Sequence, residues 1–340
     1  MTAVATSNTV ILGIETSCDE TAAALVLGGN DVLSSVVSSQ IDIHARFGGV
    51  VPEVASRAHL ESVIPVVQEA VRTAGIDPSR IDGVAATVGP GLIGALLVGV
   101  STAKALALVW DKPFIGVNHM EAHLYAGLLD DPTLQFPLVV LLVSGGHTML
   151  VEMVDHGTYR MLGRTIDDAA GEAYDKVARY LDLGYPGGPA IDAAAQKGNP
   201  EAINFPRAMM HDGLNFSFSG LKTSVINHVR KNPEVSNIDV AASFQAAVVD
   251  VLVAKAIMAA QQVGATGVVL GGGVAANSRL RTQLQSQGEI NGLRVAVPSP
   301  EMCTDNAAMI AAAGWYRLGS DGPTAMSAGA NPNLALPVIS

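Results

Sequence analysis

Cysteine is almost missing from this chain. Its 340 residues hold two, Cys18 and Cys303, at opposite ends, which excludes both a disulfide framework and a CxxC metal or redox pair. Charge is also scarce, at 15% of residues, too little for long disordered tails. Basic residues are the scarcer sign, 20 against 31 acidic, and the net charge of -11 excludes a protein that coats nucleic acid by bulk electrostatics. Any RNA partner would need a local basic patch or a second subunit. The opening MTAVATSNTVILGIE lacks the basic and apolar regions of a secretory signal, so the expectation is a reducing, cytoplasmic setting. One apolar stretch, residues 88–110, approaches the length of a membrane span, but Pro90, several glycines and Lys104 interrupt it. It is read as a buried core helix, with no membrane contact.

What is abundant is apolar sequence, 49% of the chain, enough at this length for two domains. VILGIETSCDETAAALVLG reads as a strand, a tight polar turn and a second strand, and PLVVLLVSGGHTMLVEMVD repeats that plan about 130 residues later. A third apolar strand, residues 267–273, enters a glycine turn and then the helix VAANSRLRTQLQS. Helices are expected at 59–75, 166–181, 240–264 and 306–318. Strands and helices interleave, so the class is α/β. Paired hairpins and a GGG turn entering a helix suit a nucleotide, whose phosphates backbone amides would cradle.

The stretch NHMEAH, residues 118–123, resembles a zinc-protease helix. Such a helix places Glu at i+1 between histidines at i and i+4. Here Glu121 lies at i+2 from His119, roughly 200° around the helix, and points away from a metal face. His119 and His123 still share a face and remain a ligand pair in need of a third. Asp305, at the entrance of a helix, is an acidic candidate whose ordinary role would be an N-cap. Imidazole with carboxylate suits iron(II) or zinc. In TIDDAAGEAYDKVARYL, Asp168 and Glu172 read as a solvated, salt-bridged face, with Glu172–Lys176 and Asp175–Arg179 at i,i+4. In YPGGPAID, Gly187 and Gly188 allow close backbone approach, and Asp192 could accept from ribose hydroxyls.

Taken together, GIETSCDET, FGGVVPEVASRAH, GPGLIGALLVG, NHMEAH, LLVSGGHT, DDAAGEAYDK, YPGGP, FSFSGLK, GGGVAANSRLR and CTDNAAMIA resemble the TsaD family of tRNA N6-adenosine threonylcarbamoyltransferases, once labelled O-sialoglycoprotein endopeptidases, in its bacterial branch. The motifs occur in family order from about residue 11 to 315. The resemblance implies a two-lobed α/β fold of the actin, Hsp70 and sugar-kinase group, each lobe a mixed sheet flanked by helices, with the active site in the cleft. It implies a first lobe of residues 1–135 plus 300–340 carrying the metal, and a second of 136–299 carrying most nucleotide contacts. The metal ligands it implies are His119, His123 and Asp305, holding iron(II) ahead of zinc. The substrate contacts it implies are Leu142, Val143, Ser144, Gly145, Gly146, Asp175, Gly188, Asp192 and Asn277.

The reaction so implied is transfer of a threonylcarbamoyl group from threonylcarbamoyl-adenylate to N6 of adenosine 37 in tRNAs reading codons that begin with A, with release of AMP. Asp19 and Glu20, in the first hairpin turn, are candidates for the N6 proton, as is His147. Arg46, Arg57, Arg207, Lys222 and Arg230 are candidate tRNA contacts. A TsaB-like paralogue and a TsaE-like ATPase are the implied protein partners. Two other classes compete: a metallopeptidase using the HMEAH helix, and a non-enzymatic nucleotide-dependent module.

Overall fold

The computed structural model describes residues 5–339. Along the chain the elements are β1 (Val10–Glu15), β2 (Glu20–Leu27), β3 (Asp31–Ser39), α1 (Ile41–Ala45), α2 (Pro52–Ala74), β4 (Gly83–Gly89), α3 (Ile93–Trp110), β5 (Phe114–Asn118) and α4 (His119–Asp130). There follow β6 (Leu138–Val143), β7 (Thr148–Asp155), β8 (Thr158–Arg164), α5 (Ala170–Tyr180), α6 (Gly187–Ala195), α7 (Ser219–Lys231) and α8 (Asn237–Val263). The last are β9 (Gly267–Gly271), α9 (Ser278–Ile290), β10 (Arg294–Ala296), α10 (Pro300–Cys303) and α11 (Ala307–Ser320). The chain divides into two compact units, the first ending at Thr133 and resuming from Asp305 to Pro337, the second spanning Leu134–Thr304 with Val338 onward.

Each unit holds a five-stranded mixed sheet, ordered β3-β2-β1-β4-β5 in the first and β8-β7-β6-β9-β10 in the second. In both, the first three strands are an antiparallel meander, and two further strands join parallel on the other side of the first. The two hairpins read from sequence are β1–β2 and β6–β7. β1 and β6 are buried along their whole length because each is a central strand covered on both faces.

In the first unit the two-residue period of β1 sets the layers. Leu12 and Ile14 join the core formed with Val63, Val67, Val98 and Ala103 from α2 and α3. Ile11 and Gly13 face α11, and a Cβ on Gly13 would lie 2.3 Å from the Ala307 carbonyl oxygen, so glycine lets α11 seat directly on β1. In the second unit α8 is the core helix, with Phe244, Val248 and Leu252 packed in one cluster with Val139 and Leu141 of β6.

Several helix limits shift from expectation. α2 begins at Pro52, not 59, because proline is favoured in a first helical turn. A 3-10 turn over Gly273–Ala276 separates β9 from α9, with Asn277 capping the latter. The apolar 88–110 stretch is only partly a core helix: 39% of the α3 residues are buried. Its small residues Ala95, Gly99, Ala103 and Ala107 pack inward, which turns Leu97, Leu108 and Val109 to the outside, the last at 79% exposure. In the second long apolar helix, α8, 89% of the most apolar 18-residue window is buried. Asp168 also departs from expectation. Its side chain is 15% exposed and takes Lys176 at 3.1 Å and Lys222 at 2.8 Å, so it ties α5 to α7 instead of lying on a solvated face.

Candidate metal centre and nucleotide cradle

The chain passes from β5 straight into α4, and Asn118 is the hinge. Its Oδ1 accepts from the Met120 and Glu121 amides at 2.9 and 3.2 Å, satisfying two orphan donors of the helix start. His119 and His123 then stand one turn apart, ring centroids 4.7 Å from each other. Asp305 comes from the residue before α11. The cap of that helix is Asn306, whose Oδ1 accepts from Met309, while the Asp305 carboxylate turns to the histidines.

Asp305 Oδ1 lies 3.1 Å from His123 Nε2 and 3.6 Å from His119 Nε2. Two donors about 2.1 Å from one tetrahedral ion stand about 3.4 Å apart, so the trio has the spacing of a ligand set. At 3.6 Å the His119 contact is beyond a hydrogen bond, and His123 Nδ1 is buried with no partner. Two imidazoles, that of His123 buried and that of His119 half-buried, thus converge on one carboxylate, an arrangement that fits a divalent cation.

Behind His119 stands a carboxylate that the sequence reading missed. Glu15, fully buried, lies 3.0 Å from His119 Nδ1 through Oε2 and accepts from Thr87 Oγ1 at 2.6 Å and from the Ser17 amide. An acid ending the apolar strand VILGIE was the available signal. Such a carboxylate fixes the ring so that Nε2 faces the metal position. Burial alone would depress His119, but Asp305 and Glu15 outweigh it and raise its pKa to about 9. Burial, with Asp305 and Asp19 adding to it, pushes the Glu20 carboxyl up to about 9. Glu121 lies on the far side of α4, 2% exposed, with both its oxygens on Arg317 at 3.0 and 3.1 Å.

In the second unit the Ser144–His147 turn is closed by Ser144 N–H to His147 O at 2.8 Å and by His147 N–H to Ser144 Oγ at 3.1 Å. Leu142 and Val143 bury their side chains completely, so only their backbone can meet a ligand. Gly145, Gly146, Gly188 and Gly273 would each point a Cβ into open space, whereas Gly171, in the first turn of α5, would drive one to 2.5 Å from Ser144 O. The result is a bare amide surface abutting a helix N-terminus, the geometry that suits phosphate.

The other expected contacts are already engaged. Asp175 Oδ1 accepts from Gly187 N at 2.8 Å, at the start of α6. Asp192 takes Ser278 Oγ at 2.8 Å and Gln245 Nε2 at 2.9 Å, and Asn277 Nδ2 donates to Gln245 Oε1 at 2.8 Å. Gln245 was missed by sequence reasoning. Of the candidate tRNA cations, Arg57 pairs with Glu53, Arg207 with Asp250 and Lys222 with Asp168.

A profile of the family described as "TsaD: tRNA N6-adenosine threonylcarbamoyltransferase" matches residues 31–312. The chain belongs to the TsaD family. Relatives named tRNA N6-adenosine threonylcarbamoyltransferase include one from Moorella thermoacetica, 56% identical over 97% of this chain and 98% of its own length. Another, from Symbiobacterium thermophilum, is 55% identical over 91% of this chain and 92% of its own. Among solved structures, T. kodakarensis HypF superposes with a TM-score of 0.64 at 16% identity, covering 94% of this chain and 48% of HypF. Component A of the Acidaminococcus fermentans (R)-2-hydroxyglutaryl-CoA dehydratase gives 0.57 at 15% identity, covering 92% of this chain and all of that one. At these identities the likeness is one of fold alone.

Proposed function

We propose that this TsaD-family chain transfers the threonylcarbamoyl group from threonylcarbamoyl-adenylate to N6 of adenosine 37 in tRNAs reading codons that begin with A, releasing AMP. The observation that carries the reading is the family match over residues 31–312. A His119–His123–Asp305 trio in one unit and an open glycine turn in the other support it. We assign the metal to the first unit and most nucleotide contacts to the second.

The chemistry is acyl transfer: N6 bonds to the carbamoyl carbon, the bond to the phosphate oxygen breaks, and the N6 proton leaves. The amides of Ser144, Gly145 and Gly146, with the backbone of Leu142 and Val143, hold phosphate. Gly188 gives the nucleoside close approach to α6, Asp192 accepts from ribose hydroxyls, and Asp175 keeps the start of α6 in place. Asn277 faces the adenine side from the cap of α9. His119, His123 and Asp305 would hold the metal, iron(II) ahead of zinc, which when bound would supply positive charge to a substrate oxygen. Asp19 and Glu20 are assigned to the N6 proton.

The apolar side chains exposed on α2 and α3, among them Leu60, Leu97, Leu108 and Val109, support a protein partner, assigned as a TsaB-like paralogue acting with a TsaE-like ATPase in the cytoplasm. The deciding test incubates the full chain and these partners with tRNA and threonylcarbamoyl-adenylate, followed by mass spectrometry of the nucleosides. Modified adenosine, lost in His119→Ala, is expected. Its absence with intact nucleotide binding would overturn the reading in favour of a non-enzymatic module. A metallopeptidase has no support in the fate of Glu121, whose carboxylate is committed to Arg317.

A further inference from the structure

Gln245 stands in α8 amid Phe244, Ala246, Ala247 and Val248, all buried, and is itself 3% exposed. A buried amide is costly unless both its ends are bonded. Both are. Nε2 donates to Asp192 Oδ1 at 2.9 Å, and Oε1 accepts from Asn277 Nδ2 at 2.8 Å.

The polarity of this chain of bonds follows from chemistry alone. An ionised carboxylate only accepts, so Gln245 must turn its NH2 to Asp192 and therefore its oxygen to Asn277. Asn277 must then present its own NH2 to Gln245, which leaves Oδ1 for the Leu280 amide at 3.0 Å, the cap of α9. One side chain thus fixes an acid on α6 and an amide at the start of α9. Ser278 Oγ adds a second donor to Asp192 Oδ1, at 2.8 Å. The Oδ2 contacts are weaker, Ser278 N at 3.3 Å and Gln196 Nε2 at 3.4 Å, so the acceptor capacity left to Asp192 lies on Oδ2. Gln245, Gln196, Ser278 and Arg279 also border a small open cavity of about 180 Å³.

We infer that Gln245 is a positioning residue for nucleotide recognition: it locks Asp192 so that Oδ2 meets the sugar hydroxyls, and it sets Asn277 in register with it. The inference rests on Asp192 and Asn277 being nucleotide contacts. It goes beyond that assignment by naming the group that aims them, and by tying recognition to the ribose diol.

The test compares AMP with 2′,3′-dideoxy-AMP by calorimetry on the full chain. The wild type is expected to favour AMP by about tenfold or more, the value of hydrogen bonds to a charged acceptor. Gln245→Glu sets a second carboxylate against Asp192, and Gln245→Met keeps the shape without the donor. Both are expected to shrink the preference to within about twofold, a change that general loosening would not confine to the hydroxyl-dependent part of binding. Melting curves establish that each variant is folded, and the methionine variant carries the test if the glutamate one is not. Asp192→Ala is the reference. A preference kept in both Gln245 variants but lost in Asp192→Ala overturns the inference and leaves the nucleotide site standing. A preference kept in Asp192→Ala overturns both.

Discussion

Two glycine-to-alanine changes in one turn region separate binding from folding. Gly145 faces open space and lacks a left-handed φ, so a methyl there meets nothing in the protein. Gly145→Ala is expected to leave stability unchanged or to raise it by about 0.4–1 kcal/mol through the unfolded chain. Gly171→Ala forces a Cβ to 2.5 Å from Ser144 O and 2.7 Å from Gly145 Cα, both backbone atoms that cannot swing aside. Overpacking of that kind costs about 1–3 kcal/mol. At about 2–4 °C per kcal/mol for a unit of this size, the melting temperature falls by roughly 2–12 °C.

Nucleotide affinity should show a different pattern. If the Ser144–Gly146 amides hold phosphate, the methyl of Gly145→Ala occupies the approach and strips away hydrogen bonds to a charged group worth about 1.5–3 kcal/mol each, so AMP binds about 10- to 100-fold more weakly. Calorimetric melting and AMP titration on the same samples give both readouts. Unchanged AMP affinity in a stable Gly145→Ala would refute the cradle. A Gly145→Ala as unstable as Gly171→Ala would refute the open environment from which the argument starts.

Three further outcomes follow from buried polar groups. Glu15→Gln weakens the charge-assisted contact to His119 and is expected to lower divalent-metal affinity about 10- to 100-fold in chelator competition. Glu121→Gln strands the Arg317 guanidinium, which keeps Asp321 at 2.6 Å, and should cost roughly 1–3 kcal/mol in denaturant unfolding while leaving metal content at wild-type level. His59 is depressed, burial outweighing the Cys18 carbonyl and Glu15, so the unfolded chain takes up the proton more readily. Its contribution to stability is undiminished above about pH 6.5 and is lost as pH falls through the folded pKa, and His59→Gln should narrow the stability gap between pH 7.5 and pH 5.

The twin hairpins were legible because VILGIE and LVVLLV are continuous apolar runs, which only strands covered on both faces tolerate. The turn away of Glu121 was equally legible, since helical geometry is local. The meeting of Asp305 with the histidines was not: it reaches His123 across 182 residues, and only the family resemblance linked them as candidate ligands. Gln245 was illegible for a related reason. A glutamine in a buried apolar stretch of helix announces that something must bond it, but not that the partners lie 53 and 32 residues away. The exposed side of α3 was hidden by composition, because an alanine and glycine face can be the buried one while leucines point outward.

The two units show how one strand plan yields two chemistries. Both sheets follow the same order, and in both the turn after the first strand carries candidate site residues. In the first unit that turn carries Ser17, Cys18 and Asp19 and leads into Glu20, with the carboxylates of Glu15 and Asp305 nearby in charge, as the raised proton affinities of His119 and Glu20 record. Such an edge repels a phosphate and attracts a cation. In the second unit the equivalent turn holds two glycines with no side chain at all, and its amides attract an anion. The helix HMEAH belongs to the first kind of edge. The acid that serves its histidine is Glu15, from a strand 104 residues earlier, not the Glu121 between the two histidines. A protease reading needs the acid and the histidines on one helix face, while a strand-borne acid can hold the imidazole and cannot reach a water in Glu121's place.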